Sequence, residues 1–352
     1  MRVARRALTT ALLIAGMSSP GAWAQVHEQQ DPTHQDALGR VIVLVLDGVR
    51  WQDFFDVEDR RFRPDDGRPP AFEGTWKRLS QGGLAFGDRS RGSAARMTLS
   101  GRFSMRQSLP SYQAMLAGFA QPCSSNDCAR IAVETLPEAL ARRLELPAEK
   151  VAVFSSWAGL ERAAAHESGS VHVDAGDRTS PPADDGTPVN RDDERTAEAA
   201  LDHLRRHAPR FLFVVFGAAD RAAHAGDKAG YLRELRRLDR MIVRFFETLQ
   251  EMGPAARART TLIVTTDHGR GRWGPMWRYH SLMPFSTGVF VAATGPRTAH
   301  LGRVEGHPRT IQLSDLRPTI EILLGLEPAP CQHPTCGQPI PELIGAAPAD
   351  PR

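Results

Sequence analysis

Three short runs of consecutive apolar residues interrupt a chain that elsewhere mixes polar and apolar positions: Val41 to Leu46, Phe211 to Phe216 and Thr261 to Thr266. Each is rich in β-branched or aromatic side chains, the pattern of a strand buried on both faces of a parallel sheet. Val151 to Phe154 and Gly288 to Ala292 are further strand candidates. Between these runs the period changes. Tyr231, Leu235, Leu238, Ile242, Phe246 and Leu249 recur at helical spacing between Gly230 and Gly253, with Arg and Glu on the other face. Leu313 to Leu324 reads as a second such helix, kinked or started by Pro318. The stretch from Asp174 to Arg195, with its Pro, Gly and Asp, reads as an exposed loop leading into a helix that starts near Asp192. This alternation predicts an α/β fold: a mainly parallel central sheet with helices on both faces.

Each of the three core runs is followed by an acid, respectively Asp47, Asp220 and Asp267. Ligands of open α/β sheets bind beyond the carboxyl ends of the strands, so three carboxylates delivered there can converge on one crevice. Histidines stand beside them. Asp220-x3-His224 places a carboxylate and an imidazole one helical turn apart, and Asp267-His268-Gly269 puts both types at one strand end, with the Gly permitting a sharp exit. Carboxylate and imidazole together suit zinc and related divalent ions, although either pair alone is equally what a capped helix start looks like.

The amino terminus adds a compartment. Arg2, Arg5 and Arg6 precede an apolar stretch from Ala7 to Met17, and Ala22-Trp23-Ala24 offers a small-x-small cleavage site, so residues 1–24 read as an export signal. The apolar stretch is too short to span a hydrocarbon core of about 30 Å, and no second one follows. The expected mature protein is periplasmic or secreted, with residues 25–344 as one catalytic domain and 345–352 as a loose tail. The formal charge of +3, from 44 basic and 41 acidic residues, shrinks once the signal arginines are removed, and no basic footprint for nucleic acid is left. Four cysteines fall in two equal spacings, Cys123-x4-Cys128 and Cys331-x4-Cys336. In an oxidising compartment such neighbours pair, so two local disulfides are expected, with a four-cysteine zinc site as the rival.

Four elements in order carry a family resemblance: Val43-Leu44-Val45-Leu46-Asp47-Gly48, Ser108-Leu109-Pro110-Ser111 with Ala114, Leu116 and Gly118 behind it, Asp220-x3-His224, and Thr266-Asp267-His268-Gly269. Together they resemble the alkaline phosphatase superfamily, most closely its type I phosphodiesterase and nucleotide pyrophosphatase branch, over residues 41 to about 326. The resemblance implies that Asp47, Asp267 and His268 hold one divalent metal together with the Ser108 oxygen. Asp220, His224 and a later histidine would hold a second, with zinc the expected ion for both. His280 is the choice for the last ligand, followed as it is by the apolar run from Gly288; His307, near Gln312-x2-Asp315, is the competitor. Ser108 would be the nucleophile and Ser111 structural, while Asn126 would donate to a phosphoryl oxygen. Outside the resemblance, Ser108 before Pro110 is also a common helix-cap pattern, and Asn126 is also an ordinary loop residue. A helix beginning at Pro110 or Ser111 would aim its amino terminus at the phosphoryl group.

Two departures count against a sulfatase. A single Asp47 is followed by Gly48 where that branch has two acids, and Tyr112 stands where its Cys/Ser-x-Pro-Ser-Arg element has Arg. Ser108 and Ser111 also replace the usual phosphodiesterase Thr-Phe-Pro-Asn, so monoester and diester chemistry both stay open. Arg96, Arg106, Arg270 and Arg272 are candidate cations for a monoester, and Trp157, Trp273 and Trp277 are candidate stacking partners for a second ester group. His203 and His207 read as solvated surface residues of a polar helix. The expectation is an exported hydrolase of small-molecule phosphate esters using two divalent metals. Alternatives on the same fold are a sulfatase-like hydrolase, a headgroup transferase and a binding protein without turnover; oligomeric state is not specified.

Overall fold

The computed structural model describes residues 39–57, 70–91, 96–100, 106–181, 189–272 and 274–345. The export-signal reading of residues 1–24, Trp273 and the tail beyond Gly345 lie outside them. The first apolar run forms β1 (Arg40–Leu46), which pairs in parallel with β6 (Phe211–Phe216) on one side and β7 (Thr260–Thr265) on the other. Beyond β6 lie β4 (Val151–Ser155) and β5 (His172–Ala175). Beyond β7 lie β9 (Val291–Thr294), β2 (Gly83–Phe86) and β10 (Gly302–Arg303), giving the order β10-β2-β9-β7-β1-β6-β4-β5. Of these eight strands β9 alone runs antiparallel to its neighbours. The expected mainly parallel sheet is therefore present.

Alternate residues of β1 feed two cores. Val41, Val43 and Val45 pack with Leu109, Tyr112 and Met115 of α2 (Ser108–Ala117), and with residues of α3 (Leu136–Arg143) and α7 (Leu316–Leu323). Ile42, Leu44 and Leu46 face α1 (Glu73–Leu79), α4 (Asp193–His207) and α6 (Lys228–Glu251). Both faces are covered, which is why the strand needs consecutive rather than alternating apolar residues. On α6 the stripe Tyr231, Leu235, Leu238, Ile242 and Leu249 is buried as its spacing predicts, each large side chain contributing about 1.5–3 kcal/mol. Phe245 rather than Phe246 completes it, because the stripe drifts around the helix over six turns and Phe246 ends half-buried.

Four expectations are corrected. The run from Gly288 to Ala292 is not one strand: it breaks at Phe290 into β8 (Gly288–Val289) and β9, and β8 joins a second, three-stranded sheet with β3 (Met97–Thr98) and β11 (Ile311–Gln312). The α2 helix starts at Ser108, two or three residues earlier than expected, because Gln107 has the extended conformation of an N-cap and Ser108 is already helical. The stretch from Asp174 to Arg195 is only partly an exposed loop. Asp174 sits in β5, Arg191 is buried and donates from one guanidinium nitrogen to both Asp174 carboxylate oxygens at 3.0 Å, and Asp192 caps α4 as foreseen.

The fourth correction is His203, which is 4% exposed rather than solvated. The apolar face of α4, formed by Ala197, Ala200, Leu201 and Leu204, carries it inward against Phe154. Its ring stacks 4.7 Å from that of His172 and lies 4.5 Å from that of half-buried His207, and its Nε2 is 2.8 Å from the Glu149 carbonyl. Burial, together with the neighbouring His172, His207 and Arg206, holds its pKa down to about 4. The folded value lies below the unfolded one of about 6.5, so the neutral ring's contribution is complete above that pH and is lost as pH falls toward 4. His203→Gln should therefore shrink the loss of stability between pH 7 and pH 4.5 by about 2 kcal/mol relative to the parent, read from urea midpoints at both pH values. An identical loss in the two proteins would place the acid sensitivity elsewhere.

Candidate metal centre

The register of the three central strands decides where the acids go. Leu46 pairs with Phe216 and Val45 with Thr265, so the residues after β1, β6 and β7 leave the sheet side by side. Asp47 follows β1 directly and Asp267 follows β7 by two positions, while β6 runs through Gly217 into α5 (Ala218–His224), which carries Asp220 and His224 one turn apart. The sequence reading placed these residues at strand ends, and there they meet. Ligand atoms of Asp47, Asp267 and His268 lie within 4.8 Å of one another, as do those of Asp220, His268 and His280. The His224 Nε2 is 3.3 Å from Asp220 Oδ2 and 2.9 Å from His280 Nε2. His307 is elsewhere, packed on Phe86 and 3.6 Å from Glu342.

The hydrogen bonds around these side chains set their orientation. The Nδ1 atoms of His268 and His280 meet the carbonyls of Gly269 and Arg106, which directs both Nε2 atoms inward. Asp267 Oδ1 accepts from the Gly48 and His268 backbone N–H groups at 3.0 and 2.9 Å, while its Oδ2 is buried with no hydrogen-bond partner. Burial holds His268 down to about 4 and His280 down to about 3, so both rings are neutral at physiological pH. Neutral imidazoles aimed inward beside an orphaned carboxylate oxygen are the donor set a divalent cation needs. Burial, reinforced by Asp267 and Asp220, pushes Asp47 well above the carboxylate range. Asp267 is raised by burial to about 7.

Ser108 opens α2 against this cluster. Its Oγ is 3.3 Å from His268 Nε2 and 3.4 Å from Asp47 Oδ1. Asn126 sits over the same helix start: its Oδ1 accepts from Leu109 N at 2.9 Å, and its own N–H donates to Gln107 Oε1. Asn126 thus caps the first turn of the helix that Ser108 opens. The segment is held by the Cys123–Cys128 disulfide and by Arg162, which donates to the carbonyls of Asn126 and Cys128. Cys331 and Cys336 form the second disulfide, and no cysteine is free, as the spacing led one to expect.

Three supporting residues escaped the sequence reading. Tyr112, read only as a departure from a sulfatase pattern, donates its buried hydroxyl to Asp47 Oδ2 at 2.8 Å; its place one helical turn beyond Ser108 was the available signal. Arg270, read as a cation for substrate, is fully buried and spent on the site itself, bonded to Asp220 and to the carbonyls of Trp277 and Arg278. Burial alone would raise Asp220, and Arg270 with the histidines outweighs it, so that carboxyl is held well below its usual value. Asp193 is the third. From α4 it accepts the Gly217 and Ala218 N–H groups at 3.1 and 2.9 Å, capping α5 from outside, and nothing local in the sequence announces it. Gly48 is required by space as well as by its φ of 66°, since a Cβ there would lie 2.4 Å from Asp220 Oδ1. Gly269 earns its place differently from the expected sharp exit: a Cβ would lie 2.7 Å from the Gly288 carbonyl.

A parallel sheet with carboxylates and imidazoles gathered at its carboxyl edge defines an alkaline-phosphatase-like fold. A family model described as "Metalloenzyme superfamily" matches residues 130–327, and the chain belongs to that superfamily. The matched span holds Asp220, His224, Asp267, His268 and His280, and begins beyond Asp47 and Ser108. Solved structures share the fold. A 2-O GAG sulfatase is 15% identical with a TM-score of 0.58, over 89% of this chain and 76% of its own. The phosphonate monoester hydrolase of Agrobacterium radiobacter is 15% identical with a TM-score of 0.56, over 89% and 79%. A protein of the alkaline phosphatase superfamily from Vibrio parahaemolyticus is 13% identical with a TM-score of 0.55, over 86% and 69%. No curated protein matches the chain.

Removing the Asp193 carboxylate leaves the Ala218 N–H at the start of α5 without its acceptor, at about 1–3 kcal/mol, while the Gly217 N–H keeps Ser156 Oγ at 2.9 Å. Asp193→Ala should lower stability by about 1–3 kcal/mol in denaturant titrations run with chelator, so that metal loss does not contribute. The exposed Asp202→Ala should stay within about 0.5 kcal/mol of the parent. Equal effects of the two changes would refute the capping role.

Proposed function

We propose that the protein is an exported, metal-dependent hydrolase of phosphate esters in which Ser108 is the nucleophile. The observation that carries this reading is the position of Ser108 Oγ, at a helix amino terminus and within 3.4 Å of both His268 and Asp47. In it Asp47, Asp267, His268 and Ser108 would hold one divalent ion, and Asp220, His224 and His280 the other, with zinc favoured by the mixed oxygen and nitrogen donors. Such ions lower the pKa of a hydroxyl and offset charge on a transferring phosphoryl group.

The chain's own groups do the rest. Ser108 Oγ attacks phosphorus, a bond from Oγ to phosphorus forms, and the bond to the ester oxygen breaks, the departing oxygen leaving as the alcohol with the proton that the serine hydroxyl gives up. Attack by water at the same phosphorus then cleaves the phosphoseryl ester, frees phosphate and returns the serine hydroxyl. In this reading the Ser108 N–H at the start of α2 and the Asn126 side-chain amide would donate to phosphoryl oxygens. Among the described residues no group accepts from the Ser108 N–H, whereas Leu109 N is taken by Asn126 and Ser111 N by the Gln107 carbonyl. Tyr112 fixes Asp47, which supports phosphate rather than sulfate chemistry, since the sulfatase pattern needs Arg at that place. Among the described residues no helix is long and apolar enough to cross a membrane, in keeping with a protein released after export.

Ser108→Ala should cut turnover of p-nitrophenyl phosphate or bis-p-nitrophenyl phosphate by about 10³-fold or more, with the thermal midpoint close to the parent's. Parent-like rates in that variant, or parent rates unaffected by chelator, would exclude the mechanism. Tyr112→Phe removes the bond that orients Asp47, and should weaken metal binding by about 10-fold or more in competition with a fluorescent chelator. An unchanged affinity would leave Tyr112 as packing only.

A further inference from the structure

Among the described residues five large hydrophobic side chains are exposed, and four of them, Met276, Tyr279, Leu282 and Phe285, fall within ten positions that also contain His280. Leu282 is 73% exposed and has a φ of 59°, a conformation that leucine rarely adopts. An apolar side chain presented to water on a strained backbone disfavours the folded state twice, and such combinations gather where a surface binds something. The segment is fastened to the candidate centre. Gly271 N donates to the Tyr279 carbonyl at 2.9 Å, Gly269 N to the Ser286 carbonyl at 2.8 Å, and Ser286 Oγ to the His280 carbonyl at 2.6 Å. Its charge has one sign: no acid occurs between Asp267 and Glu305, while the Arg272 and Arg278 guanidiniums lie 6.0 and 5.9 Å from the rings of Phe285 and Tyr279.

Resting on the phosphate-ester reading above, we propose that residues 276–285 form an apolar, cation-flanked rim that binds the hydrocarbon part of the substrate, so that the preferred esters carry a long alkyl chain. Arginines beside exposed apolar groups complement an anionic head joined to a hydrocarbon body. A sugar or nucleoside would instead call for polar side chains where Met276 and Leu282 stand. The rim continues directly from His280, so a phosphorus atom at Ser108 and a chain along the rim belong to one molecule.

The test uses titration calorimetry of the metal-loaded protein with methyl phosphate and decyl phosphate, and turnover of the methyl and decyl members of both the monoalkyl phosphates and the alkyl p-nitrophenyl phosphates. A methylene fully removed from water strengthens binding about fourfold, so even partial cover of a decyl chain should tighten Kd at least about 10-fold over methyl. In the Leu282→Ser/Phe285→Ser double variant that decyl-to-methyl ratio should fall toward one, in binding and in kcat/KM alike. Leu282 is 73% and Phe285 41% exposed, and a thermal midpoint close to the parent's checks that the double variant keeps the fold. Equal binding of the two esters, or a decyl preference that survives in the double variant, overturns the rim. So does an unchanged ratio accompanied by loss of a dimer on gel filtration, which would assign the patch to self-contact. Failure to turn over any ester, with the decyl preference in binding retained, counts against the hydrolase reading and not against the rim.

Discussion

Three carboxylates are forced together, out of water, by the pairing of β1 with β6 and β7, and the rest of the site is an answer to that constraint. Like charges in a region of low dielectric cannot all stay ionised unaided. Without a cation the cluster divides its charge: Asp47 is driven well up, Asp267 is raised to about 7, and Asp220 stays ionised because Arg270 and the histidines overcome its burial. Protons are one way to relieve the repulsion and divalent cations the other. The inward Nε2 atoms and the orphaned Asp267 oxygen favour cations, because a proton on Asp267 satisfies one oxygen only, whereas a divalent ion takes carboxylate oxygens and imidazole nitrogens together.

Holding such a cluster requires that no ligand be free to turn away. Each acid has at least one oxygen fixed by the protein: Asp47 by Tyr112, Asp267 by the backbone of Gly48 and His268, and Asp220 by Arg270. The helix bearing Asp220 and His224 is seated in turn by Asp193, one element removed. Rigid second contacts of this kind reduce the reorganisation needed when an ion or a substrate arrives. They also explain why Gly48 tolerates no side chain, since the space over it is filled by Asp220 and Arg270.

The sheet and its acids were legible because burial on both faces writes itself as consecutive apolar residues, and strand register then carries whatever follows to one edge. Hence Asp47, Asp220 and Asp267 could be placed without any long-range contact being known. Groups that act through other groups were not legible in the same way. Asp193 lies on a helix that precedes β6 and reaches forward to the start of α5, a contact set by packing and not by spacing. His203 was misjudged because the charged neighbours Asp202, Arg205 and Arg206 dominate its local composition, although helical geometry puts it beside Ala200 and Leu204 on the inner face. The break at Phe290 had no local signal either; the residues on both sides are apolar, and only the competition of two sheets for them splits the strand.

Arg270 joins these layers. It follows the Asp267-His268 pair, binds Asp220, and donates to the carbonyls of Trp277 and Arg278, so it ties the acid cluster to the segment that supplies His280 and the exposed apolar rim. It also settles the charge requirement. The three carboxylates outnumber the one guanidinium among them, so one divalent cation would bring the group to neutrality and a second would make it positive. Only the second state draws in an anionic ester and opposes the charge that develops on its oxygens. An arginine already committed to Asp220 cannot also meet the phosphoryl group, and this is the physical reason that a phosphate-binding reading of the pocket calls for two ions.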